Sequence, residues 1–324
     1  MKKNIAIIMG GYSSEVEISL KSGNVVYNSL DKTKYNRYRV LILKEKWIHL
    51  DENEIEHPIN MADFTTNING YKIKFDAVFN AIHGHPGEDG VILSYLELLG
   101  IPHTSAPSYQ MALTFNKRDC LSVVKAYGIK TANAYYLNDG DSINEEEIVE
   151  KVGLPCFVKA NRAGSSFGIS KVHKIEHLKD AIKLSLKEDD EIIIESFLDG
   201  REVSVGVITY NNEIKVLPIT EITTDNDFFD YEAKYKGKSE GITPAKLSEK
   251  EEQRINDVAK RVYEVLRMSG FSRSEYILID GEPHLLEMNT VPGLTSQSLL
   301  PQQANMAGIS LIELFGNAIE MSLK

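Results

Sequence analysis

Two carboxylates and an amide stand close together near the C-terminal end of the chain. Glu287 and Asn289 are two apart on an apolar run, and Glu275 lies on the run before it, across Asp280-Gly281. Residues two apart on a strand project to one face. Asp-Gly between two apolar runs signals a hairpin, here Ser274–Ile279 against Pro283–Met288. Glu275, Glu287 and Asn289 can therefore converge, and hard oxygen donors of this kind suit Mg²⁺ carried by a nucleoside triphosphate. A solvated strand face is the bland alternative. Against it, Leu285, Leu286 and Met288 make the strand apolar, and a buried acid needs a partner.

Three more stretches carry chemistry of their own. Lys159 ends a strand-like run and is followed by Gly164-Ser165-Ser166-Phe167-Gly168. Small residues let backbone N–H groups approach phosphate oxygens, and the lysine supplies charge, although a plain glycine hairpin reads the same way. Thr290–Ser298 surrounds Pro292-Gly293 with hydroxyls and free N–H groups, which suit a carboxylate or an oxyanion. Ile192-Ile193-Ile194 runs into Glu195, Phe197, Leu198 and Glu202. A strand edge with an aromatic and acids beyond it could hold a base and a ribose, while a core strand and turn is the simpler reading. Single residues have bland readings too. His83 ends a strand, where histidine is more often structural, and is kept as a substrate-side candidate. Glu15 suits a helix dipole, and Arg273 and Lys234 read as surface charges.

These residues need elements to position them. Ile5–Met9 is apolar without alternation, as in a strand buried on both faces, and ends in Gly10-Gly11. Ser14–Glu17 then reads as a capping box. A second unit ends in a strand over 75–82, a loop over 83–90, and a helix over 91–99 stopped by Gly100. The region to about 105 reads as a doubly wound parallel-sheet α/β domain, with ligands beyond the strands' carboxyl ends. The region 106–195 reads as an α+β unit. It has helices near 116–127, near 143–151 (opened by Ser142–Glu145) and over 176–187, with strands near 131–137, 156–159, 169–172 and 191–197. In 196–324, Asn211-Asn212 marks a hairpin and Ser248–Glu251 a capping box. Residues 222–247 follow neither period and read as a long loop, a length that is often a functional lid.

Composition narrows the class. The chain has 324 residues, enough for two or three domains. With 36 Lys plus Arg against 47 Asp plus Glu, the net charge is −11, a poor match for nucleic acid. Two cysteines, Cys120 and Cys156, without CxxC exclude a disulfide scaffold and a zinc ribbon and fit a reducing, cytoplasmic setting. No run reaches the ~18 apolar residues of a membrane span. GxGxxG, Walker A, HExxH and GxSxG are all absent.

In order and spread, the quoted stretches resemble the D-alanine–D-alanine ligase family of the ATP-grasp superfamily. They are Gly10–Ser19, His83-Gly84 with Gly87–Gly90, Gly164–Gly168, Tyr231–Tyr235 and Leu286–Ser296. Each is weak alone; five in register are specific. The resemblance implies an N-terminal domain (1–105) followed by a two-lobed ATP-grasp fold (106–195 and 196–324), ATP between the lobes, two Mg²⁺ (or Mn²⁺ in their place), and a homodimer. Lys117, Lys159 and Lys234 would serve ATP, with Glu195, Phe197 and Leu198 on the adenine side and Glu202 on the ribose. Glu275, Glu287 and Asn289 would hold the metal. Glu15 would take the first D-alanine's ammonium in a triad with Ser165 and Tyr235. Ser298 and Leu299 would take the second D-alanine's carboxylate. Glu275 stands where the family usually has Asp, Ala160 where Pro is usual, and His85-Pro86 varies the His-Gly loop.

The implied reaction activates a carboxylate with ATP as an acylphosphate, which the second D-alanine's amine then attacks. Arg273 and the Gly293 N–H are the candidates for the oxyanion site. Tyr235 favours an amine acceptor, because ligases that make D-alanyl-D-lactate usually lack this lid tyrosine. Another ATP-grasp ligase is one rival. A non-catalytic nucleotide-binding protein is another, disfavoured because Lys117, Lys159, Glu287, Asn289 and Arg273 are all kept.

Overall fold

The structure is a computed structural model, and it describes residues 2–164, 168–224 and 239–324. Ile5, Ala6, Ile7 and Ile8 are fully buried, which is why that run does not alternate. It forms β1 (Lys3–Gly10), followed by β2 (Tyr35–Ile42), β3 (Trp47–Leu50), β4 (Glu56–Asn60), β5 (Thr65–Ile68), β6 (Tyr71–Ile73) and β7 (Ala77–Asn80). The sheet order is β6-β5-β4-β3-β2-β1-β7. β1 pairs in parallel with β2 and β7, and the antiparallel strands β3 to β6 extend this core. Helices α1 (Val16–Ser29) and α2 (Val91–Leu98) follow β1 and β7. Strand order turns back at β1, so a crevice opens beyond its carboxyl end, between the loops after β1 and β7.

Next come α3 (Ser108–Phe115), α4 (Lys117–Ala126), β8 (Ala134–Asn138), α5 (Glu145–Val152), β9 (Cys156–Ala160), β10 (Ser170–Val172), α6 (Leu178–Ser185) and β11 (Glu191–Ser196). The four strands pair antiparallel in the order β10-β9-β11-β8. This lobe has its own apolar cluster, with Leu137, Ile148, Val158, Ile182 and Ile194 buried together.

The third sheet holds β12 (Arg201–Tyr210), β13 (Glu213–Val216), β14 (Thr220–Thr224), β15 (Ser239–Ile242), β16 (Phe271–Ile279) and β17 (Glu282–Asn289). Both anticipated hairpins form. Asn211 and Asn212 have φ of 51° and 68°, and Asp280 and Gly281 have 51° and 77°, the left-handed pair of a two-residue hairpin turn. Helix α7 (Glu249–Val265) carries the expected capping box: Ser248 Oγ accepts from the Glu251 N–H while Glu251 accepts from the Ser248 N–H. Its face of Ile255, Ala259 and Val262 is fully buried. Helices α8 (Leu299–Met306) and α9 (Leu311–Ser322) close the chain. One apolar cluster runs from the first sheet through α4 to the third sheet, joining Val40 and Leu93 to Leu121, Val203 and Tyr276.

Several local expectations give way. Ser14–Glu17 is no capping box: Glu15 is the residue before α1, and no side chain caps that end. Ser13 Oγ takes the Glu15 N–H instead, at 3.2 Å. Asn144, not Ser142, caps α5 by accepting from the Glu147 N–H. The helix near 116–127 is preceded by a second, α3, broken from it at the extended Asn116. The stretch 222–247 is not all loop, because β14 and β15 pair antiparallel at its two ends. Charges such as Glu240 hide any alternation within it.

Candidate active site

The metal-type acids face each other. Glu275 on β16 pairs with Glu287 on β17, and Arg273 pairs with Asn289. A β-bulge between Glu275 and Tyr276 makes this register; regular pairing from the turn would set Glu275 against Leu286. Glu275 is 4% exposed. Its carboxylate accepts from Arg273 Nη1, which also donates to Ser204 Oγ at 3.0 Å. Asn289 Nδ2 lies 3.4 Å from Glu287 Oε1. Lys117 Nζ lies 3.3 Å from Glu287 Oε2 and donates to the Ala163 carbonyl at 2.8 Å.

Lys159, on β9, is largely but not fully buried and lies 2.8 Å from the buried Glu195 Oε2 on β11. Burial pulls its pKa down, but Glu195, and then Glu287 and Glu202, outweigh that and leave it raised. The other Glu195 oxygen is buried without a hydrogen-bond partner, which is costly unless something else donates to it. The rings of Phe157 and Phe197 stand 6.2 Å apart, and Lys171 Nζ sits 4.3 Å over Phe197. Half-buried Leu198 comes next, and Glu202 lies on β12 between Ile222 and Ile277.

At the switch point of the first sheet, Glu15 is 8% exposed and Ser13 Oγ donates to the His83 carbonyl at 3.0 Å. The glycine loop after β9 reaches this acid. A Cβ at Gly164 would lie 2.6 Å from Glu15 Oε2, so any side chain there would push the carboxylate out of its present place. A cavity of about 380 Å³ opens here, lined by Ser14, Glu15, Gly84, Arg162, Ala163 and Gly164 among others. His83 Nε2 lies 3.0 Å from Ser22 Oγ. Burial lowers its pKa despite the charge of Glu15. On the far side, a Cβ at Gly293 would lie 2.6 Å from Ser298 Oγ, which pairs with Thr295 Oγ1 at 2.9 Å. Ser298 precedes α8 and Leu299 opens it, leaving unbonded N–H groups that suit an anion.

Ser165, Lys234 and Tyr235 lie outside the described residues, as does most of the expected lid. Three further residues hold the site together. Arg118 donates to the carbonyls of Ile192, at 2.6 Å, and Leu137, and to Asn138 Oδ1, at 2.9 Å. It thereby seats the start of α4, and with it Lys117, on the central sheet. Glu88 is buried and accepts from the N–H groups of Gly84, Thr290 and Val291. Ser22 accepts from the Leu294 N–H at 3.3 Å. Lys117-Arg118 at a helix start is a faint sequence signal; a serine inside an amphipathic helix gives none.

Among the described residues, no group of three or more His, Cys, Asp or Glu could hold a metal ion. The donor set is two carboxylates and an amide, with cations already on both acids. That suits Mg²⁺, which is usually held by one or two carboxylates together with substrate phosphates rather than by an all-protein cage.

An N-terminal α/β domain at a switch point, followed by two sheets with lysines and acids between them, defines an ATP-grasp fold. The family models described as D-ala D-ala ligase N-terminus and C-terminus match residues 4–106 and 123–320. The chain is 68% identical over 321 residues to the D-alanine–D-alanine ligase of Flavobacterium johnsoniae, covering 99% of each chain. Among solved structures, it matches D-alanyl-alanine synthetase A from Vibrio cholerae at 29% identity and TM-score 0.88, covering 99% of this chain and 98% of that one. It also matches the D-alanine–D-alanine ligase from Bacillus anthracis complexed with ATP, at 28% identity and TM-score 0.81, with 99% and 97% covered. The chain belongs to the D-alanine–D-alanine ligase family and is an enzyme of it.

Proposed function

We propose that the enzyme joins two D-alanine molecules to D-alanyl-D-alanine at the expense of ATP, releasing ADP and phosphate through a D-alanyl phosphate. One observation carries the reading. Ala163 and Gly164 are consecutive; Lys117 holds the carbonyl of the first, and Glu15 lies against the second. An acid suited to an ammonium and a cation cluster suited to phosphates thus meet at one loop, as they must if a small amino acid's carboxylate is to reach a γ-phosphate.

In this reading Glu15 holds the first D-alanine's ammonium, beside His83, with Ser165 and Tyr235 completing the triad. Lys117, Lys159 and Lys234 offset the phosphate charge. Glu195, Phe197, Leu198 and Glu202 hold the nucleoside, and the unpartnered oxygen of Glu195 is the acceptor an exocyclic amine would fill. Glu275, Glu287 and Asn289 would hold two Mg²⁺, which supply charge neutralisation of the triphosphate when bound. Lys117, Lys159 and Arg273 already balance Glu287, Glu195 and Glu275, so ATP and two Mg²⁺ would enter together with little change in net charge. Arg273 and the Gly293 N–H face the oxyanion formed as the second amine attacks. Ser298 and Leu299 take the second carboxylate.

The domain division is placed near 105 and 195, close to where the first and second sheets end, with the lid within 222–247. The dipeptide serves peptidoglycan precursor synthesis in the cytoplasm, where D-alanine and ATP meet. A homodimer is expected; Val91 and Leu98, exposed two turns apart on α2, offer an apolar stripe for a second copy. The test is phosphate release with ATP and Mg²⁺. D-Alanine should give one phosphate per dipeptide, with L-alanine inert. Release that needs D-lactate or another acceptor would overturn the assignment.

A further inference from the structure

Two side chains of the N-terminal region, Glu88 and Ser22, grip one loop of the C-terminal region. Glu88 Oε1 accepts from the N–H groups of Thr290 and Val291 at 3.1 and 3.2 Å, and its Oε2 accepts from Gly84 N–H at 3.2 Å. Ser22 Oγ accepts from Leu294 N–H at 3.3 Å and meets His83 Nε2 at 3.0 Å. Ser22 is fully buried, and His83 and Glu88 are 5% and 9% exposed. The partners are up to 272 residues apart in sequence. Buried backbone N–H groups demand acceptors; those of Thr290, Val291 and Leu294 find theirs not in their own sheet but across the domain boundary. Gly293 lies between the two gripped points.

Ser22 also sits two turns along α1 from Glu15, and on the same helix Ser19 Oγ ties the ends of β1 and β7 together. It accepts from Gly10 N–H and donates to the Ala81 carbonyl, both at 2.8 Å. The helix that presents Glu15 is therefore fixed to the first sheet by Ser19 and to the Thr290–Leu294 loop by Ser22.

We infer that Ser22 and Glu88, acting with His83, form a latch that fixes the Thr290–Leu294 loop to the Glu15 helix, and so sets the distance between the first substrate's ammonium and the Gly293 N–H. They are positioning residues: they touch the loop, not the reacting atoms. The inference rests on the oxyanion role proposed for Gly293. A loop that drifts would leave the acylphosphate formed but poorly attacked. The signature is then lost coupling between phosphate release and dipeptide, not weaker ATP binding.

The test compares full-length wild type, Ser22→Ala and Glu88→Gln in two measurements. The first is amide exchange of residues 290–294. The second is steady-state turnover with ATP, Mg²⁺ and D-alanine, counting phosphate and dipeptide separately. Both variants should exchange faster at these amides. Dipeptide kcat should fall by about 10- to 100-fold, the scale of an ångström-sized misplacement. KM for ATP should stay within about two-fold, and phosphate per dipeptide should rise above one. Glu88→Gln keeps one carbonyl acceptor and guards against a folding failure of Ser22→Ala. Unchanged exchange in both variants overturns the latch and leaves the reading of Gly293 standing. Faster exchange with wild-type kcat and coupling shows that the loop is held but does not serve the reaction, which overturns the Gly293 role and the inference built on it.

Discussion

Glu275 and Glu287 face each other across β16 and β17 because a single bulge shifts the register by one residue. The burial pattern of β17 records the shift: Leu286 and Glu287 are consecutive half-buried positions in an otherwise alternating strand. Facing side chains share a side of the sheet, so the bulge puts both acids on the side where Lys117 and Arg273 meet them.

The first prediction follows from that pair. Glu287→Gln removes one charge from the proposed metal-binding set and leaves an isosteric side chain. Turnover should fall by at least about 10²-fold, well beyond the moderate loss of Tm expected because Lys117 loses its charge partner. Steady-state phosphate release with Mg²⁺ titrated to saturation checks it. Near-normal activity there would remove Glu287 from the metal site.

Arg273 gives the second. It is held by Glu275 and Ser204 from neighbouring strand positions, so its direction is fixed before substrate arrives. If it donates to the developing oxyanion, Arg273→Ala should cost about 10²–10³ in kcat with little change in KM for ATP. Lysine at 273 should rescue only in part, since a point charge lacks the planar fork. A kcat that holds while KM for ATP rises would move Arg273 to nucleotide binding.

Much of this site was legible because it rests on local patterns. Asp280-Gly281 fixed a hairpin, and period two put Glu287 and Asn289 on one face, but the bulge that turns Glu275 to that face has no local signature. Gly10-Gly11 after a continuous apolar run marked the end of a parallel strand. What stayed hidden depends on distant partners. Nothing near Ser22 reveals that it faces Leu294, and nothing near Arg118 reveals the carbonyls of Ile192 and Leu137. Ser14–Glu17 looked like a cap because composition alone cannot show that Ser13, held by the His83 carbonyl, takes the N–H first. Strands β3 to β6 are short and carry many polar residues, so no period stands out.

The buried pair of Lys159 and Glu195 gives the third prediction. Removing one partner strands the other charge away from water, which costs about 3–5 kcal/mol. Glu195→Ala should therefore lower the urea midpoint clearly, and Lys159→Met should do so as well. The double change Lys159→Met with Glu195→Leu should recover much of that stability while ATP binding is lost. Additive losses in the double variant would show that the two side chains are not a coupled pair.

Glu88 gives the fourth, through pH. Burial, and secondarily the charge of Glu15, raises its pKa to about 7, against three N–H donors that favour the anion. In the unfolded chain a glutamate titrates near 4.5, so between about 4.5 and 7 the folded state binds the extra proton. Stability from this group is therefore full below pH ~4.5 and is lost as pH rises through about 7, by up to ~3 kcal/mol at ~1.4 kcal/mol per pH unit. His83 works the other way. Its pKa is lowered by burial, so its contribution is present above the unfolded histidine value, near 6.5, and lost as pH falls. Comparing wild type with Glu88→Gln at each pH cancels the histidine to first order. The stability difference should shift in favour of the Gln variant between pH 5 and pH 7.5, read from urea midpoints at matched ionic strength. A difference that stays flat across that window would mean that Glu88 is ionised throughout, held as a carboxylate by the N–H groups of Gly84, Thr290 and Val291.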